Sequence, residues 1–283
     1  MRAARPSDCQ SILRIYERSL SGLDDEGIEW YLSLLKAEAG NSIFLVASMG
    51  NEVVGFIQAY YNGDKGYVEA LAVDPEYRNM GIGSALLTEV ERRLRRRGVR
   101  VIRLNVKHNN LKALTFYLRR GYVVDGVTLL LNARVSDLVL PSIENLMVKV
   151  LSRDEREALS RDIEAMPSTW WSSITEKADS KVYKYYKSEV SLAVYSDGKF
   201  CGIVDFQPED TTVIDYLAVS YKRPSNALKA LLRGILLYSR ERGIRKIIIP
   251  VDSTKKALLK TLIEEGFKIE GVEYRLLKLL SIG

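Results

Sequence analysis

Histidine and cysteine are scarce in this chain of 283 residues, which holds one histidine, His108, and two cysteines, Cys9 and Cys201. The cysteines lie far apart and form no CxxC pair, which argues against a disulfide framework and a cysteine-ligated zinc site. Any histidine-dependent triad would have to use His108, and neither cysteine lies in a recognisable nucleophile motif. We therefore expect no metal site and no covalent cysteine intermediate.

Long apolar runs and a basic half are absent as well. No stretch approaches the roughly 18 apolar residues of a membrane span, and the N-terminal MRAARPSDCQ has no apolar segment behind its positive charges. The net charge of +6 is split evenly, with +3 on residues 1–150 and +3 on the rest. The sequence thus predicts a cytoplasmic protein that contacts no membrane and does not have nucleic acid as its main partner.

Four segments of the chain recur at a nearly constant spacing, which is 146 residues for the first pair and 145 for the others. The pairs are Leu71-Ala72-Val73 with Leu217-Ala218-Val219, Arg97–Arg100 with Arg242–Arg245, Gly121-Tyr122 with Gly266-Phe267, and Asp125–Val127 with Glu270–Val272. Since 283 residues suit about two ordinary domains, we predict two copies of one fold, residues 1–150 and 151–283.

Hydrophobic periodicity and turn residues indicate the order of elements in the first copy. A hairpin, a strand, a helix, a strand, a helix and two strands follow one another. This order predicts an α+β fold, with a mixed α/β sheet that carries helices on its faces. The predicted bounds are Ile43–Ser48 and Val53–Tyr60 for the hairpin, then Tyr67–Val73, Ile82–Arg97, Val101–Val106, Asn110–Arg120, Tyr122–Leu131 and Asn145–Leu151.

A glycine-rich turn joins the third strand to the first helix of this unit. Arg78, Gly81 and Gly83 form an R-x-x-G-x-G pattern directly before the helix. Main-chain N–H groups at such a helix start are unpaired, and the positive end of the helix dipole favours a phosphate there. The pattern is neither the G-x-G-x-x-G dinucleotide fingerprint nor a Walker loop.

Two motifs in this order resemble the GNAT superfamily of N-acetyltransferases over the first 150 residues or so. The family's [RQ]-x-x-G-x-[GA] motif is matched by Arg78–Gly83. Its N-x-x-A…Y…GF motif is matched by Asn110, Ala113, Tyr117, Gly121 and Tyr122. The strand Met147–Val150 is similar to the one that closes the family's fold.

The resemblance implies acetyl-CoA as the acetyl-donor cosubstrate and an amine-bearing acceptor, either a small molecule or a peptide or protein. It implies that the main chain of Leu71-Ala72-Val73 pairs with the pantetheine arm, that Asn110 bonds this arm, and that Tyr117 protonates the leaving thiolate. The CoA pyrophosphate would be held by the N–H groups of Arg78, Asn79, Met80, Gly81, Ile82, Gly83 and Ser84.

The resemblance also suggests a general base. Strand alternation predicts that Tyr67, Glu69, Leu71 and Val73 share one face of the sheet. Glu69 stands four residues before Val73, where family members commonly place a base or a water-holding group. We interpret Glu69 as a base acting through a water, with a solvated strand residue as the alternative. Asn105 in the following strand is expected to orient the acceptor or the water.

The second copy lacks most of these residues. Pro224, Ala227 and Lys229 stand at the positions of Arg78, Gly81 and Gly83, while Lys255 and Leu262 replace Asn110 and Tyr117. Because Pro lacks an N–H and the other two residues carry a Cβ, we predict that this copy has lost acetyl-CoA binding. Two roles stay open for it, namely shaping the acceptor cleft and replacing the partner subunit of a homodimer. The nearby aromatic residues either face that cleft or are core, and they are Trp170, Trp171, Tyr183, Tyr185 and Tyr186.

The predicted activity is therefore N-acetylation by direct attack of an amine on the thioester in a ternary complex, with the active site in the first copy and the protein a monomer or a homodimer. A non-catalytic acyl-CoA-binding regulatory protein is the alternative, and the intact Glu69, Asn110 and Tyr117 argue against it. The arginine run Arg92–Arg97 is interpreted as a solvated helix face, with a contact to the CoA 3′-phosphate or to nucleic acid as the other readings.

Overall fold

The computed structural model describes residues 1–19, 32, 34–36, 40–159, 165–174 and 190–280. Its strands are β1 Arg2–Ala3, β2 Ser42–Met49, β3 Glu52–Asn62, β4 Lys65–Val73, β5 Val101–Lys107, β6 Val123–Arg134, β7 Met147–Val150, β8 Met166–Pro167, β9 Val190–Ser196, β10 Lys199–Phe206, β11 Thr211–Val219, β12 Lys246–Asp252 and β13 Lys268–Leu279. Its α-helices are α1 Cys9–Ser19, α2 Ile82–Arg96, α3 Leu111–Leu118, α4 Arg153–Leu159, α5 Pro224–Arg242 and α6 Lys256–Glu264.

Thirteen strands of the described chain form one mixed sheet, in the order β1-β2-β3-β4-β5-β13-β6-β12-β11-β10-β9-β7, with β8 paired to β11. The pairs β4–β5 and β11–β12 are parallel, and the other pairs are antiparallel. The predicted mixed α/β sheet is therefore confirmed. None of the described helices is long and apolar enough to cross a membrane.

The two halves of the chain exchange strands at the centre of this sheet. β13, the last strand of the second half, pairs with β5 on one side and β6 on the other, so it completes the sheet of the first half. β6 in turn pairs with β12 of the second half. β6 and β13 are the equivalent strands of the two repeats, because each follows its glycine-aromatic pair, Gly121-Tyr122 or Gly266-Phe267.

The outer edges of the sheet repeat each other in the same way. β1 pairs with β2 at one edge, and β7 pairs with β9 at the other edge. The prediction that Met147–Val150 closes the first half is therefore wrong, since this segment is the first strand of the second half. A short apolar strand satisfies its hydrogen bonds equally well at either position, so its composition carries no information about its partner.

Helices cover both faces of the sheet in each half. In the first half, α2 and α3 pack on one face over a cluster that includes Leu86, Val90 and Leu104, and α1 packs on the opposite face with Phe56 and Ala70. In the second half, the core lies under α5 and α6. Each half thus places a strand-turn-helix unit, β4 to α2 or β11 to α5, at the same position relative to its sheet.

Candidate active site

A gap opens between the parallel strands β4 and β5. Their pairing covers Lys65–Tyr67 on β4 and ends at the pair Tyr67–Arg103, so the rest of β4 has no neighbour on that side. The N–H of Asp74 donates to Val54 of β3 at 2.9 Å. Because main-chain groups alternate sides along a strand, those of Leu71 and Val73 point into the gap.

The Val73 carbonyl in this gap already accepts two hydrogen bonds. The Ser19 hydroxyl and the Arg78 Nε both donate to it at 3.1 Å. Arg78 therefore fixes the turn after β4 with its side chain, in addition to the main-chain role predicted for it. The Val73 carbonyl is thus occupied. The Val73 N–H and the main-chain groups of Leu71 also face the gap, and the hydrogen bonds from Ser19 and Arg78 do not involve them.

The turn after β4 leads into a helix start with exposed donors. Asn79 and Gly81 adopt left-handed conformations with φ of 63° and 80°, and the first N–H bonded back into the helix is that of Ala85, to Gly81, at 3.0 Å. The N–H groups of residues 82–84 precede it and lack helical acceptors. A Cβ on Gly83 would lie 3.6 Å from Val73 and 3.7 Å from Phe116. Packing therefore does not require glycine at this position, whereas close approach of a phosphate does.

Arg120 lies beside this helix start, and neither sequence motif includes it. Its guanidinium donates to the Ser84 hydroxyl and, at 2.7 Å, to the Phe116 carbonyl, and it stacks 3.6 Å from the Phe116 ring. No described acidic side chain forms an ion pair with it. A cation at the positive end of a helix is unfavourable unless an anion binds there. The start of α2 is therefore strongly electropositive.

Asn110 and Tyr117 are both brought close to this region by α3. Asn110 caps the helix, with its Oδ1 accepting from the Ala113 N–H at 3.1 Å, so Nδ2 is its remaining hydrogen-bonding group. Tyr117 is buried and makes edge-to-face contacts with Phe116 and Tyr122 at 5.1 and 5.5 Å between ring centroids. Burial raises the pKa of the Tyr117 phenol, which Arg120 partly offsets. The phenol is therefore protonated at neutral pH.

Glu69 occupies a β-bulge in β4. In the ladder with β3, Ala70 pairs with Gln58 and Val68 with Ala59, so Glu69 is an extra residue. Bulges reorient side chains. Tyr67 packs with Tyr60 on the face that carries α1, whereas Leu71 packs towards α2 on the other face.

The prediction that Tyr67, Glu69, Leu71 and Val73 share one face is therefore wrong, because strict alternation does not continue through a bulge. Glu69 itself is half-buried beside the gap.

Asn105 lies on β5, two residues beyond the last pair with β4. Its Nδ2 donates to Thr128 Oγ1 and to Glu273 Oε2, both at 3.0 Å. Glu273 belongs to β13, so the second half contributes a side chain beside the gap in the first half. The sequence could not single out Glu273, because its position depends on the strand exchange.

The segment 165–174 of the second half also packs against this face of the first half. Trp170 lies 4.0 Å from the guanidinium of Arg103, and Trp171 stacks on Tyr67 with 6.1 Å between ring centroids. Both tryptophans are partly buried. Trp170 and Trp171, which the sequence assigns either to the cleft or to the core, line the face that carries Asn105. Tyr183, Tyr185 and Tyr186 lie outside the described residues.

Comparison with known proteins identifies the family of this half. Residues 9–122 match the family model for the acetyltransferase (GNAT) family. They form a GNAT acetyltransferase domain. Across the whole chain, the fold is similar to a tandem GNAT protein from the clavulanic acid biosynthesis pathway, with 12% identity, a TM-score of 0.70, and coverage of 98% of this chain and 97% of that one. It is also similar to a GCN5-related N-acetyltransferase from Sphaerobacter thermophilus, with 19% identity, a TM-score of 0.65, and coverage of 98% and 94%. The prediction of two tandem GNAT-like folds is thus confirmed.

The second GNAT-like fold starts its helix one turn earlier than the first. α5 begins at Pro224, the equivalent of Arg78, whereas α2 begins at Ile82. The N–H of Ala227, the equivalent of Gly81, is bonded to the Arg223 carbonyl at 3.3 Å. The donors that are available in the first GNAT domain are thus within the helix in the second, and the helix start lies about 6 Å further back at 1.5 Å per residue.

An internal ion pair occupies the corresponding place in the second fold. The Lys229 Nζ lies 3.0 Å from Glu265 Oε1. Lys229 is the equivalent of Gly83, and Glu265 lies 145 residues after Arg120. Where the GNAT domain has a cation beside free N–H groups, the second fold has a carboxylate paired with its own lysine. The bulge itself is retained, with Asp215 as the extra residue at the position of Glu69.

Two remaining predictions concern surface charge and metals. Within the arginine run on α2, Arg92 and Arg93 both bond to Glu89, at 2.6 to 2.8 Å, and Arg97 lies 5.5 Å from the Tyr61 ring. These contacts favour the interpretation of the run as a solvated helix face of the GNAT domain.

In the described part of the chain, no group of three or more His, Cys, Asp or Glu side chains could hold a metal ion.

Proposed function

We propose that the protein is an acetyl-CoA-dependent N-acetyltransferase with one active site, located in the first half. The observation that carries this proposal is the contrast between the two helix starts. α2 offers the unpaired N–H groups of Ile82, Gly83 and Ser84 beside Arg120, whereas α5 bonds the equivalent groups internally. A diphosphate needs such donors and a nearby cation. The family match of residues 9–122 supports acetyl transfer as the chemistry.

Acetyl-CoA supplies the acetyl thioester. Its diphosphate would bind residues 78–84, and its pantetheine arm would lie along Leu71–Val73 as an added strand in the gap. The N–H groups that β4 directs into the gap are suited to stabilise the charge that develops on the acetyl oxygen. The Nδ2 of Asn110 is the group left to bond the arm once Oδ1 caps the helix.

Two residues are proposed to move protons. Glu69, held in the bulge, accepts a proton from the acceptor amine through a water, so that the amine attacks directly without a covalent enzyme intermediate. Tyr117 donates its phenolic proton to the departing thiolate. Burial raises the pKa of this phenol, so Tyr117 carries its proton at neutral pH.

We further propose that the second half binds no acetyl-CoA and instead completes the acceptor side of the first half. The strand exchange and the contacts of Trp170 and Trp171 support this role. The division into two copies is retained as a proposal, with the boundary moved from residue 150 to residue 146, because β7 (Met147–Val150) pairs with β9 of the second sheet. The protein is proposed to act in the cytoplasm, as a monomer or a homodimer.

Titration calorimetry tests the number of sites. We expect one acetyl-CoA site per chain, and two sites would contradict the assignment of the second half. Release of free coenzyme thiol in the presence of amines tests turnover. Binding of acetyl-CoA without thiol release from any amine would favour the alternative, a regulatory protein that senses acyl-CoA.

A further inference from the structure

The acceptor side of the first half depends on a residue from the end of the chain. In the register of β13 with β5, Arg275 is opposite Asn105, and Glu273 is opposite Lys107. The exchange thus places the Glu273 carboxylate within 3.0 Å of the Asn105 amide, although 168 residues separate them. A first half without β13 would have no residue at this position.

The two hydrogen bonds of Asn105 fix the orientation of its amide. An ionised carboxylate only accepts hydrogen bonds, so the amide group that faces Glu273 is the NH₂. Its second proton is donated to Thr128 on β6, so both N–H bonds point away from β4. The Oδ1 atom, on the other side of the amide carbon, takes part in neither of these bonds.

Oδ1 of Asn105 is buried and has no hydrogen-bond partner in the described part of the chain. Leaving a buried acceptor without a donor is unfavourable, and such groups usually serve a ligand, a water or a reaction. The residue lies beyond the pair Tyr67–Arg103, at which β4 and β5 separate. An amine that attacks a thioester held along β4 would bring N–H donors to this place.

Two charged neighbours on the same face, Arg103 and Arg275, are held by other groups and do not compete for this oxygen. Arg103 is held by Asp125 at 2.9 Å and by the Trp170 ring. Arg275 bonds Asp125 at 2.8 Å and also pairs with Asp252. Asp125 therefore holds both guanidinium groups, and Asp252 also holds that of Arg275.

The second half lacks this arrangement. Pro250 of β12 lies 145 residues after Asn105 and takes its place in the repeat. Proline has no side-chain amide, so the second fold cannot present the same oxygen. The amide is thus found only in the half that also keeps the exposed helix start.

We propose that Glu273 is a positioning residue for the acceptor site: it orients the Asn105 amide so that Oδ1 accepts a hydrogen bond from the acceptor amine. This proposal rests on the proposed N-acetyltransferase function. The recognised group is a primary amine, because Oδ1 is an acceptor and needs an N–H donor from the ligand.

The test uses the full chain and the variants Glu273→Ala, Glu273→Gln and Asn105→Ala, with Glu270→Ala as the matched control. Glu270 lies on the same strand and pairs with Lys246 at the surface, so its removal changes the charge equally. Thiol release is measured with spermidine, glucosamine and a lysine-containing peptide as acceptors, and acetyl-CoA affinity is measured by calorimetry.

We expect Glu273→Ala and Asn105→Ala to lower kcat/KM for the acceptor about tenfold, as loss of one well-placed hydrogen bond does, while acetyl-CoA affinity stays within about twofold. Glu273→Gln should recover most of the loss, because its side-chain oxygen still accepts from Asn105 Nδ2. Glu270→Ala should behave as the wild type.

Three results would overturn the proposal: an unchanged acceptor kcat/KM in both alanine variants, an equal loss of acetyl-CoA affinity, or no recovery in Glu273→Gln. Each of these results is compared with a wild-type chain that acetylates at least one of the three amines. A wild type that binds acetyl-CoA but acetylates none of the three amines contradicts the N-acetyltransferase function itself, and the positioning role falls with it.

Discussion

Thr128 of β6 and Glu273 of β13 are directly opposite each other in the central strand pair, and they occupy the same position in the two repeats, 145 residues apart. The pseudo-two-fold axis that relates the halves therefore passes between these two residues. Both bond the Asn105 amide. The centre of the internal symmetry thus touches the proposed acceptor side of the half whose residues are proposed to bind acetyl-CoA.

The exchange predicts the behaviour of an isolated first half. Without β13, both β5 and β6 of residues 1–146 would have an unpaired edge, and such edges recruit equivalent strands. Since β6 is the equivalent of β13, two copies can exchange β6 in its place. We expect this fragment to be a homodimer in size-exclusion chromatography with light scattering.

Thr128→Pro in the same fragment is the matched control, because proline removes a ladder N–H in the middle of the exchanged strand. We expect it to abolish the dimer. A fragment that is folded and monomeric would show that β13 is dispensable for the first sheet.

A second prediction concerns Gly126 at the junction of the halves. A Cβ at this position would collide with the Arg275 guanidinium. The guanidinium cannot move away without leaving Asp125 and Asp252, and breaking a buried charge pair is costly. We expect Gly126→Ala to lower the free energy of unfolding by about 1–3 kcal/mol, measured by urea denaturation.

Gly40→Ala serves as its control, since nothing lies within 4 Å of a Cβ there and its φ is not positive. Equal stability of the two variants would mean that the Arg275 cluster rearranges without cost.

The repeat, the mixed sheet and the family can be predicted from the sequence, because each depends on local periodicity or on residues at a fixed spacing. The pairing of β7 with β9 and of β13 with β5 could not be predicted, since in a duplicated chain either half offers an equivalent edge. The bulge at Glu69 cannot be predicted, because an extra residue leaves no signature in an apolar strand. Arg120 and Glu273 become visible only once the helix ends and strands are placed.

The helix start of α2 gives a third prediction. Gly83→Lys places in the first half the residue that the second half carries at Lys229. Because a Cβ fits there, the fold should tolerate it, but the side chain would occupy the space of a diphosphate. We expect acetyl-CoA affinity measured by calorimetry to fall about 100-fold or more, a loss of roughly 2.7 kcal/mol. Ala85→Lys, which adds the same charge at an exposed position of the same helix turn, should bind normally. An equal loss of acetyl-CoA affinity in both variants would mean that added charge or impaired folding causes it. The N–H groups of residues 82–84 would then not be the cause.

Arg120 gives a fourth prediction. Arg120→Gln removes the cation beside Ser84, so acetyl-CoA affinity should fall about tenfold at low ionic strength and less at high salt. The melting temperature of the free protein should not fall, because a cation at a helix N-terminus is unfavourable without an anion. Arg119→Gln is the control, since it removes the same charge from the adjacent exposed residue. A drop in melting temperature without a change in affinity would assign Arg120 to packing on Phe116.

Tyr117 gives the fifth prediction, which separates proton transfer from packing. Tyr117→Phe keeps the ring contacts with Phe116 and Tyr122 and removes only the hydroxyl. We expect kcat to fall by about 10²-fold or more, the usual contribution of a general acid, while acetyl-CoA affinity stays within about threefold. Tyr221→Phe at an exposed site of the second half should leave both unchanged. If the leaving thiolate takes its proton from solvent instead, Tyr117→Phe retains the wild-type kcat, and Tyr117 is then a core aromatic residue whose phenol has no part in the reaction.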